Sequence, residues 1–403
     1  MLFSLVFAVN MVYQATVVGL NPLQLVLVGT TLEASVLLFE IPTGVVADVY
    51  SRRLSIIIGL ALIGLGFIVE GSFPLFGGVL LAQVLWGVGY TFTSGATEAW
   101  LADEISHANQ GSEESVGQAY LRGNQFHQGG ALLGIGVSMI LASVGQIMTP
   151  IVTSGVLFML LALGLALVMP EQGFTPSSQQ ERHSWQAMGQ TLRDGLRLVR
   201  GRPILLAILV ISAIFGAASE GYDRLWTPHL LQNFTLPALG QLKPVIWFGL
   251  ISTVGMLLNL GATEIARRRI DTAHQPTLVR VLLGLNALLI ACVVVFGLAT
   301  HFAVALTVFW LAGTLRSVLG PLTTAWLNHH VESSVRATLF SVNGQADALG
   351  QITMGPVVGM VGTVFSLRAA LVMAGVILSP ALWLYTRTLG YVPEAEAGLA
   401  APN

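Results

Sequence analysis

The stretch LSIIIGLALIGLGFIV, residues 54–69, decides the fold class of this chain. It contains no charged residue, and its polar and apolar side chains do not alternate. A strand of a transmembrane barrel would show alternating polarity over about 10 residues. A helix that crosses a bilayer needs about 20 mostly apolar residues. The stretch and its apolar flanks therefore predict a transmembrane helix.

Runs of the same kind recur along the chain. Only helical bundles and closed barrels satisfy their backbone hydrogen bonds in lipid, and long runs without alternation favour helices. We therefore expect an all-α membrane protein with twelve transmembrane helices. The predicted segments are residues 1–20, 22–47, 54–73, 76–101, 118–143, 146–169, 203–228, 244–266, 278–298, 302–327, 337–363 and 367–388.

Composition excludes several classes of protein. Of the 403 residues, 54% are hydrophobic and only 9% are charged, whereas a soluble domain carries about 25% charged residues. The chain is therefore neither a soluble enzyme nor a disordered protein. A net charge of −2 leaves no basic field for nucleic acid. Cys292 is the single cysteine, which excludes a disulfide framework and a cysteine-built metal site.

Lysine and arginine residues predict the orientation in the membrane. All but four of the 18 fall in the loops or helix ends that lie inside if both termini are inside. The exceptions are Lys243 and Arg368 on the outside, with Arg224 and Arg316 within helices. Because basic residues favour the cytoplasmic side, we expect a multi-pass protein of the cell membrane with both termini in the cytoplasm.

A polar stretch divides the chain into two halves. We expect a bundle of six helices over residues 1–170, a cytoplasmic linker over 171–202, a second bundle of six over 203–388 and a cytoplasmic tail over 389–403. The linker begins with Pro, Ser, Gln and Glu, and its second part has the periodicity of an amphipathic helix. That helix lies on the inner membrane surface or packs under the bundle.

The two halves echo each other in sequence. Trp86-x-x-Gly89 in the fourth segment has a counterpart in Trp310-x-x-Gly313 in the tenth, and Asn124 matches Asn343 at an offset of 219. Parallel duplication of six-helix halves is a transporter design in which the substrate site lies near the midplane between the halves. The pattern predicts two pseudo-symmetric bundles.

The second segment ends in Gly44-Val-Val-Ala-Asp48-Val-Tyr-Ser-Arg52-Arg53. Gly44 permits close approach to a neighbouring helix, and Asp48 with Arg52 and Arg53 can form a charged latch at a helix junction. The alternative is a basic loop that only sets topology. The sequence resembles the signature of the major facilitator superfamily between its second and third helices. The resemblance implies that the latch holds the outward-facing state closed on the inside.

A second motif refines that resemblance. Gly350, Gly355-Pro356 and Gly359 lie in the eleventh segment. They are similar to a glycine-proline pattern that some drug:proton antiporters of the superfamily carry in their fifth helix. Here the pattern lies in the other half of the chain.

Ionisable residues within spans are expensive and mark functional sites. Glu33, Glu40, Gly44 and Asp48 are spaced so that they share one face of the second helix, and we expect that face to point into the bundle. Glu33 lies near the midplane, where it is a candidate for proton coupling. Glu40 is assigned to the same group of residues, with a structural hydrogen bond as the alternative.

Three further charged groups are candidates for coupling or for ion pairs. Glu98 and Arg122 are expected at similar depth and so to pair. Glu220 and Arg224 are four residues apart in the seventh helix, and their pairing leaves Asp223 for substrate or a gate. Arg316 and Asp347 lie at nearly one depth in the tenth and eleventh helices, and we predict an ion pair between them because an isolated buried charge is costly.

Polar and aromatic residues within spans are candidates for lining a substrate cavity, although each can instead be satisfied between helices. His127 can also shuttle protons. The candidates are Asn10, Tyr13, Gln14, Trp86, Asn124, Gln125 and His127.

These features indicate a secondary active transporter that works by alternating access. Proton-coupled export of lipophilic or cationic small molecules is the first interpretation, because carboxylates exceed basic groups in the spans of the first half. Proton-coupled uptake of a polar metabolite and a non-transporting membrane sensor or scaffold are the alternatives. We expect no enzyme activity, since no phosphate-binding loop or nucleophile motif is present. We also expect no metal, no cofactor and a monomer in the bilayer, driven by the proton gradient.

Overall fold

The computed structural model describes residues 1–108, 113–176, 202–238, 243–331 and 335–389. These residues form helices and connecting turns, and none of them forms a strand. The predicted amphipathic helix of the linker and the tail beyond residue 389 lie outside the described residues.

Fifteen helices lie within the described ranges. The first eight are α1 (Leu2–Phe7), α2 (Asn10–Thr16), α3 (Pro22–Val49), α4 (Arg52–Ser72), α5 (Phe76–Thr93), α6 (Ala96–Ala108), α7 (Glu113–Val144) and α8 (Thr149–Val168). The others are α9 (Pro203–Asn233), α10 (Ile246–Arg269), α11 (Gln275–Leu298), α12 (Phe302–His329), α13 (Arg336–Val364), α14 (Leu367–Ile377) and α15 (Ser379–Leu389).

The predicted membrane fold with twelve spanning segments is confirmed. In the described part of the chain, ten helices are long and apolar enough to cross a membrane. The first segment is the shorter apolar pair α1 and α2, and the eleventh is α13, which has 29 residues. Three segments are interrupted. The fourth restarts after Gly95, whose φ of 73° is a conformation that glycine adopts without strain.

Side chains fix where two helices of the first half begin. Asn21 and Gln24 form a reciprocal capping box at the start of α3, with Pro22 in the first turn. The Ser51 hydroxyl accepts a hydrogen bond from the backbone N–H of Leu54 at 2.9 Å and caps α4. The second cap places Arg52 and Arg53 in the first turn of α4.

The helices group into two compact units. Unit 1 comprises the described residues of 1–190 and 236–253, and unit 2 those of 191–235 and 254–403. Residues 236–253 belong to unit 1 through contacts with α7, where the Lys243 ammonium donates to the carbonyl oxygens of Ala142 at 3.4 Å and Gly145 at 3.1 Å. The domain boundaries drawn from the sequence stay a prediction.

A close helix crossing holds unit 2 together. A Cβ on Gly216 of α9 would run into the backbone oxygen of Asp347 on α13, and a Cβ on Gly350 of α13 would run into that of Ala213 on α9. The missing side chains therefore let the two backbones touch. This contact places Asp347 directly beside α9.

Gly216→Ala is expected to lower the free energy of unfolding by about 1–3 kcal/mol, because overpacking a tight contact costs that much. Thermal and denaturant unfolding of the purified protein in detergent measures the change. Gly313→Ala is the matched control, since a Cβ there meets no described heavy atom within 4 Å. Alanine stabilises a helix by about 0.5–1 kcal/mol relative to glycine. Equal stability of the two variants would contradict the crossing.

Candidate functional site

The signature residues of unit 1 are joined to partners that the sequence analysis did not identify. The Arg52 guanidinium forms an ion pair with Asp103 of α6 and donates to the backbone oxygen of Ala99 at 3.1 Å. Asp48 lies farther from Arg52, at 4.0 Å, and is exposed. The main ion pair of the latch thus joins the start of α4 to α6. Asp103 lies only two residues beyond the predicted end of the fourth segment. Had the helix been extended past residue 101, Asp103 would have been a candidate partner for Arg52.

The end of α8 and the residues that follow it contact the start of α4. The Glu171 carboxylate accepts from the Ser51 hydroxyl at 2.6 Å and from the backbone N–H of Arg53 at 2.9 Å. The Arg53 guanidinium donates to the backbone oxygen of Ala166 near the end of α8, at 2.6 Å. Glu104 accepts from the backbone N–H groups of the two residues after Glu171. Carboxylates on α6 and after α8 therefore hold the signature arginines in place.

Gly44 does not have the predicted role in helix packing. A Cβ on Gly44 would meet no described atom of its own unit within 4 Å. The face of α3 that packs in unit 1 instead carries Ser35, which lies against Gly87 of α5. Glu40 and Asp48 are exposed and Glu33 is half-buried, so the predicted acidic face is not buried within unit 1. The spacing of the acidic residues shows that they share one face of α3. It does not show whether that face or another packs against the neighbouring helices.

Unit 2 contains a cavity of about 360 Å³ between α9, α12 and α13, with a mostly apolar lining and a few polar and charged side chains. Its volume falls in the range of small-molecule sites. Arg316 and Asp347 line it together with Ser212 and Asn343, whose side chains share a hydrogen bond of 2.7 Å. Neither Ser212 nor Asn343 was predicted to have a functional role, and Asn343 was identified only as the repeat counterpart of Asn124.

Arg316 pairs with Asp223 and not with the predicted Asp347. Its two terminal nitrogens donate to the two carboxylate oxygens of Asp223 at 2.5 and 2.7 Å. The guanidinium also lies over the ring of Tyr222, 5.6 Å from its centroid. The predicted pairing was wrong because Asp223 and Asp347 both lie at the depth of Arg316, and α9 presents the carboxylate that the guanidinium reaches.

Asp347 remains beside this ion pair without joining it. Its carboxylate accepts a hydrogen bond from the Gln351 amide at 2.8 Å, one turn further along α13. The predicted pair of Glu220 with Arg224 is present at 2.9 Å. The charged groups that line the cavity are therefore Arg316, which is paired with Asp223, and Asp347, whose hydrogen-bond donor is a neutral amide.

The predicted cavity residues of the first half do not share one site. Tyr13 and Gln14 are buried against Glu70 of α4, and Trp86 packs in an aromatic cluster with its ring centroid 5.5 Å from that of Phe67. Asn10 is buried at the start of α2. The three polar candidates on α7, which are all exposed, are Asn124, Gln125 and His127.

The predicted pair of Glu98 with Arg122 is absent from the ion pairs of the described residues. Tyr120 instead donates its hydroxyl to the backbone oxygen of Glu98 at 2.9 Å. This hydrogen bond joins α7 to the backbone of α6. The similar depth of Glu98 and Arg122 thus predicted that the two helices are in contact, but it did not predict which groups interact.

A profile described as Major Facilitator Superfamily matches residues 1–343. The chain belongs to the major facilitator superfamily. It is also 25% identical over 371 residues to the "Uncharacterized MFS-type transporter YxaM" of Bacillus subtilis (strain 168), which covers 90% of this chain and 87% of that protein. The family inferred from residues 44–53 is confirmed, and the drug:proton antiporter subtype stays a prediction.

Several solved transporter structures share this fold. The nucleoside transporter NupG superimposes with a TM-score of 0.73 at 11% identity, covering 97% of this chain and 96% of its own. A bacterial homologue of the human lysosomal transporter Spinster gives 0.70 at 13% identity, with 97% and 98% covered. A D-xylose–proton symporter gives 0.67 at 15% identity, with 98% and 96% covered. At these identities the likeness shows the fold alone.

Arg316→Met is expected to lower the free energy of unfolding by about 1–3 kcal/mol. This range lies between the losses found on breaking exposed ion pairs and fully buried ones, because both side chains are partly exposed. The loss follows because Asp223 keeps its charge without the guanidinium. The double variant Arg316→Met with Asp223→Leu should recover most of the loss in the same unfolding measurement. Arg267→Met is the control, since Arg267 and its partner Glu264 are both exposed. Additive losses in the double variant would show that the two residues do not interact.

Proposed function

We propose that the chain is a proton-coupled secondary active transporter that works by alternating access and exports lipophilic or cationic small molecules. The observation that carries the proposal is the position of Asp347. It lines a cavity of about 360 Å³ next to an arginine that is already bound, in bidentate fashion, to Asp223.

The charge balance of the cavity favours a positively charged guest. Arg316 and Asp223 neutralise each other, and the donor to Asp347 is the neutral Gln351 amide. An ionised Asp347 thus gives this group of three a net charge of −1. In a low-dielectric site such a charge attracts a proton or a cation strongly. Protonation of Asp347 and binding of a cationic substrate then compete for one carboxylate, which is a direct physical route to antiport.

The glycine-proline residues of α13 support the drug:proton antiporter subtype. Gly350 lies at the close crossing with α9, one turn beyond Asp347 on α13. Movement of α13 against α9 would therefore change the surroundings of the carboxylate. Glu33 on α3 is the second candidate for proton coupling.

Uptake of a polar metabolite is the second candidate function. Ser212, Asn343, Thr323 and Thr324 line the same cavity and can hydrogen-bond a neutral polar substrate. A sensor or scaffold of the same fold would bind a ligand in this cavity without moving it. The distribution of basic residues supports a multi-pass protein of the cell membrane with both termini in the cytoplasm. We propose that it is a monomer in the bilayer and needs no cofactor, metal or nucleic acid.

Asp347→Asn is expected to reduce accumulation driven by a pH gradient by at least about tenfold, equivalent to about 1.4 kcal/mol. Gradient-independent exchange of the same substrate should persist, because the cavity keeps its shape. The measurement is flux of a panel of cationic, lipophilic and polar compounds in proteoliposomes, with and without the gradient. Asp271→Asn, at an exposed turn, is the matched control.

The outcomes of this assay separate the candidates. Flux of cations that depends on the gradient and on Asp347 supports export. Flux restricted to neutral polar compounds favours uptake, and ligand binding without flux favours a sensor. Full gradient-driven transport by Asp347→Asn would contradict the role of this carboxylate.

Arg52→Ala should lower transport at least about tenfold while the protein still folds, because a latch biases the conformational equilibrium and does not build the core. Asp103→Asn should behave similarly, since its carboxylate is the ion-pair partner of Arg52. Flux and thermal unfolding are measured on the same preparations. Normal flux in both variants would contradict the latch, and Arg267→Ala serves as an exposed arginine control.

A further inference from the structure

Unit 1 contains a buried carboxyl group that the proposed function does not use. Glu70 has no exposed surface and lies two residues before the end of α4. Its Oε1 accepts from the Gln14 amide of α2 at 2.7 Å, and its Oε2 faces the Gln83 amide of α5 at 3.4 Å. The Tyr13 hydroxyl donates to the backbone oxygen of Glu70 at 2.7 Å. We propose that Glu70 binds a proton and that Gln14 and Gln83 form the rest of this proton site.

Within the described residues, the two amides that face Glu70 each have an oxygen without a hydrogen-bond donor. The side-chain oxygens of Gln14 and Gln83 are both buried, and neither has a hydrogen-bond partner within the described part of the chain. Buried acceptors are nearly always satisfied in folded proteins. A proton on Glu70 supplies an O–H donor for one of the two, the oxygen of Gln83, once that amide has rotated. The proposal therefore rests on the unsatisfied oxygen of Gln83 and on the burial of the carboxyl group.

The two amides can accommodate either protonation state. A carboxamide presents a donor on one side and an acceptor on the other. With Glu70 ionised, both NH₂ groups face its oxygens, as the distances above show. With Glu70 protonated, rotation of the Gln83 amide by half a turn brings its oxygen to the position 3.4 Å from Oε2. The new O–H then donates to that oxygen, while Gln14 still donates to Oε1.

The other titratable groups near the site leave Glu70 as the proton acceptor. Tyr13 is the phenol that faces it from α2, and its hydroxyl already donates to the backbone oxygen of Glu70. Neither α5 nor α8, the two helices packed most closely on α4, contains Asp, Glu, Lys, Arg or His. The acidic residues of α6 lie at the opposite end of α4, beside Arg52. On α3, Glu33 lies 11 residues beyond Pro22, or about 16 Å along the helix.

The site is separate from the cavity of unit 2 and does not depend on the proposed direction of transport. It binds the short helix α2 to α4 through two side chains of α2, Tyr13 and Gln14. The chemistry is that of a single exchangeable proton, with no substrate and no metal required. A sodium ion bound by the same oxygens is the competing occupant.

Infrared spectroscopy tests the proposal without a transport assay. At neutral pH, exposed carboxyl groups are ionised, since their ordinary pKa values are about 4. We expect purified full-length protein in detergent to show the C=O stretching band of a protonated carboxyl group, with a shift in D₂O. The Glu70→Gln variant should lose the part of that band that comes from Glu70, which the difference spectrum of wild type and variant isolates from any contribution of Asp347. Glu264→Gln, which removes an exposed carboxylate bound to Arg267, should leave it unchanged.

A second variant keeps the test decisive if Glu70→Gln fails to fold. Gln83→Leu retains the carboxyl group and removes one amide, so the band should persist at a shifted frequency. Identical spectra of wild type and both Glu70 and Gln83 variants would overturn the proposal. The absence of the band from wild type would overturn it as well. A rise in thermal stability on replacing choline chloride by sodium chloride, in wild type only, would then assign the site to sodium.

Discussion

A polar side chain in a membrane-spanning helix has to find its partner within the protein, because hydrocarbon offers none. Both units satisfy this constraint. In unit 2 Arg316 of α12 pairs with Asp223 of α9, and in unit 1 Gln14 of α2 donates a hydrogen bond to Glu70 of α4. Each contact joins helices that are not consecutive in the chain. The polar groups therefore specify which apolar surfaces meet, whereas burial of apolar surface alone would allow many arrangements of twelve similar helices.

The same constraint explains the composition of α13. This helix carries Asn343, Asp347 and Gln351 on successive turns and is not among the ten helices that are apolar enough to span by composition. Asn343 bonds to Ser212 of α9 and Gln351 bonds to Asp347, and both Asn343 and Asp347 line the cavity. Because Gly216 and Gly350 bring α9 and α13 into backbone contact, the polar face is held against protein. The polar side chains of Asn343 and Asp347 are thus placed where they line the cavity.

The sequence predicted the spans well because hydropathy and length determine them. It did not predict the partner of Arg316, and the geometry shows why. Asp223 lies 10 residues before the end of α9, Arg316 lies 14 after the start of α12, and Asp347 lies 17 before the end of α13. At 1.5 Å per residue these depths are about 15, 21 and 26 Å. Both carboxylates are within about one turn of the guanidinium, so depth could not decide between them; the choice depends on how each helix is rotated about its axis.

The internal repeat shows the limit of sequence similarity as a guide to function. Gly89 of the first half packs tightly against Gly59, whereas a Cβ on its counterpart Gly313 would meet no described heavy atom within 4 Å. Asn343 bonds to Ser212 and lines the cavity, whereas its counterpart Asn124 is exposed on α7. Equivalent positions in the two halves lie in corresponding helices, but their side chains do not have the same neighbours. Since a polar side chain acquires its chemistry from those neighbours, the two units can hold different sites: a cavity with an arginine–carboxylate pair in one, and a buried carboxyl group between amides in the other.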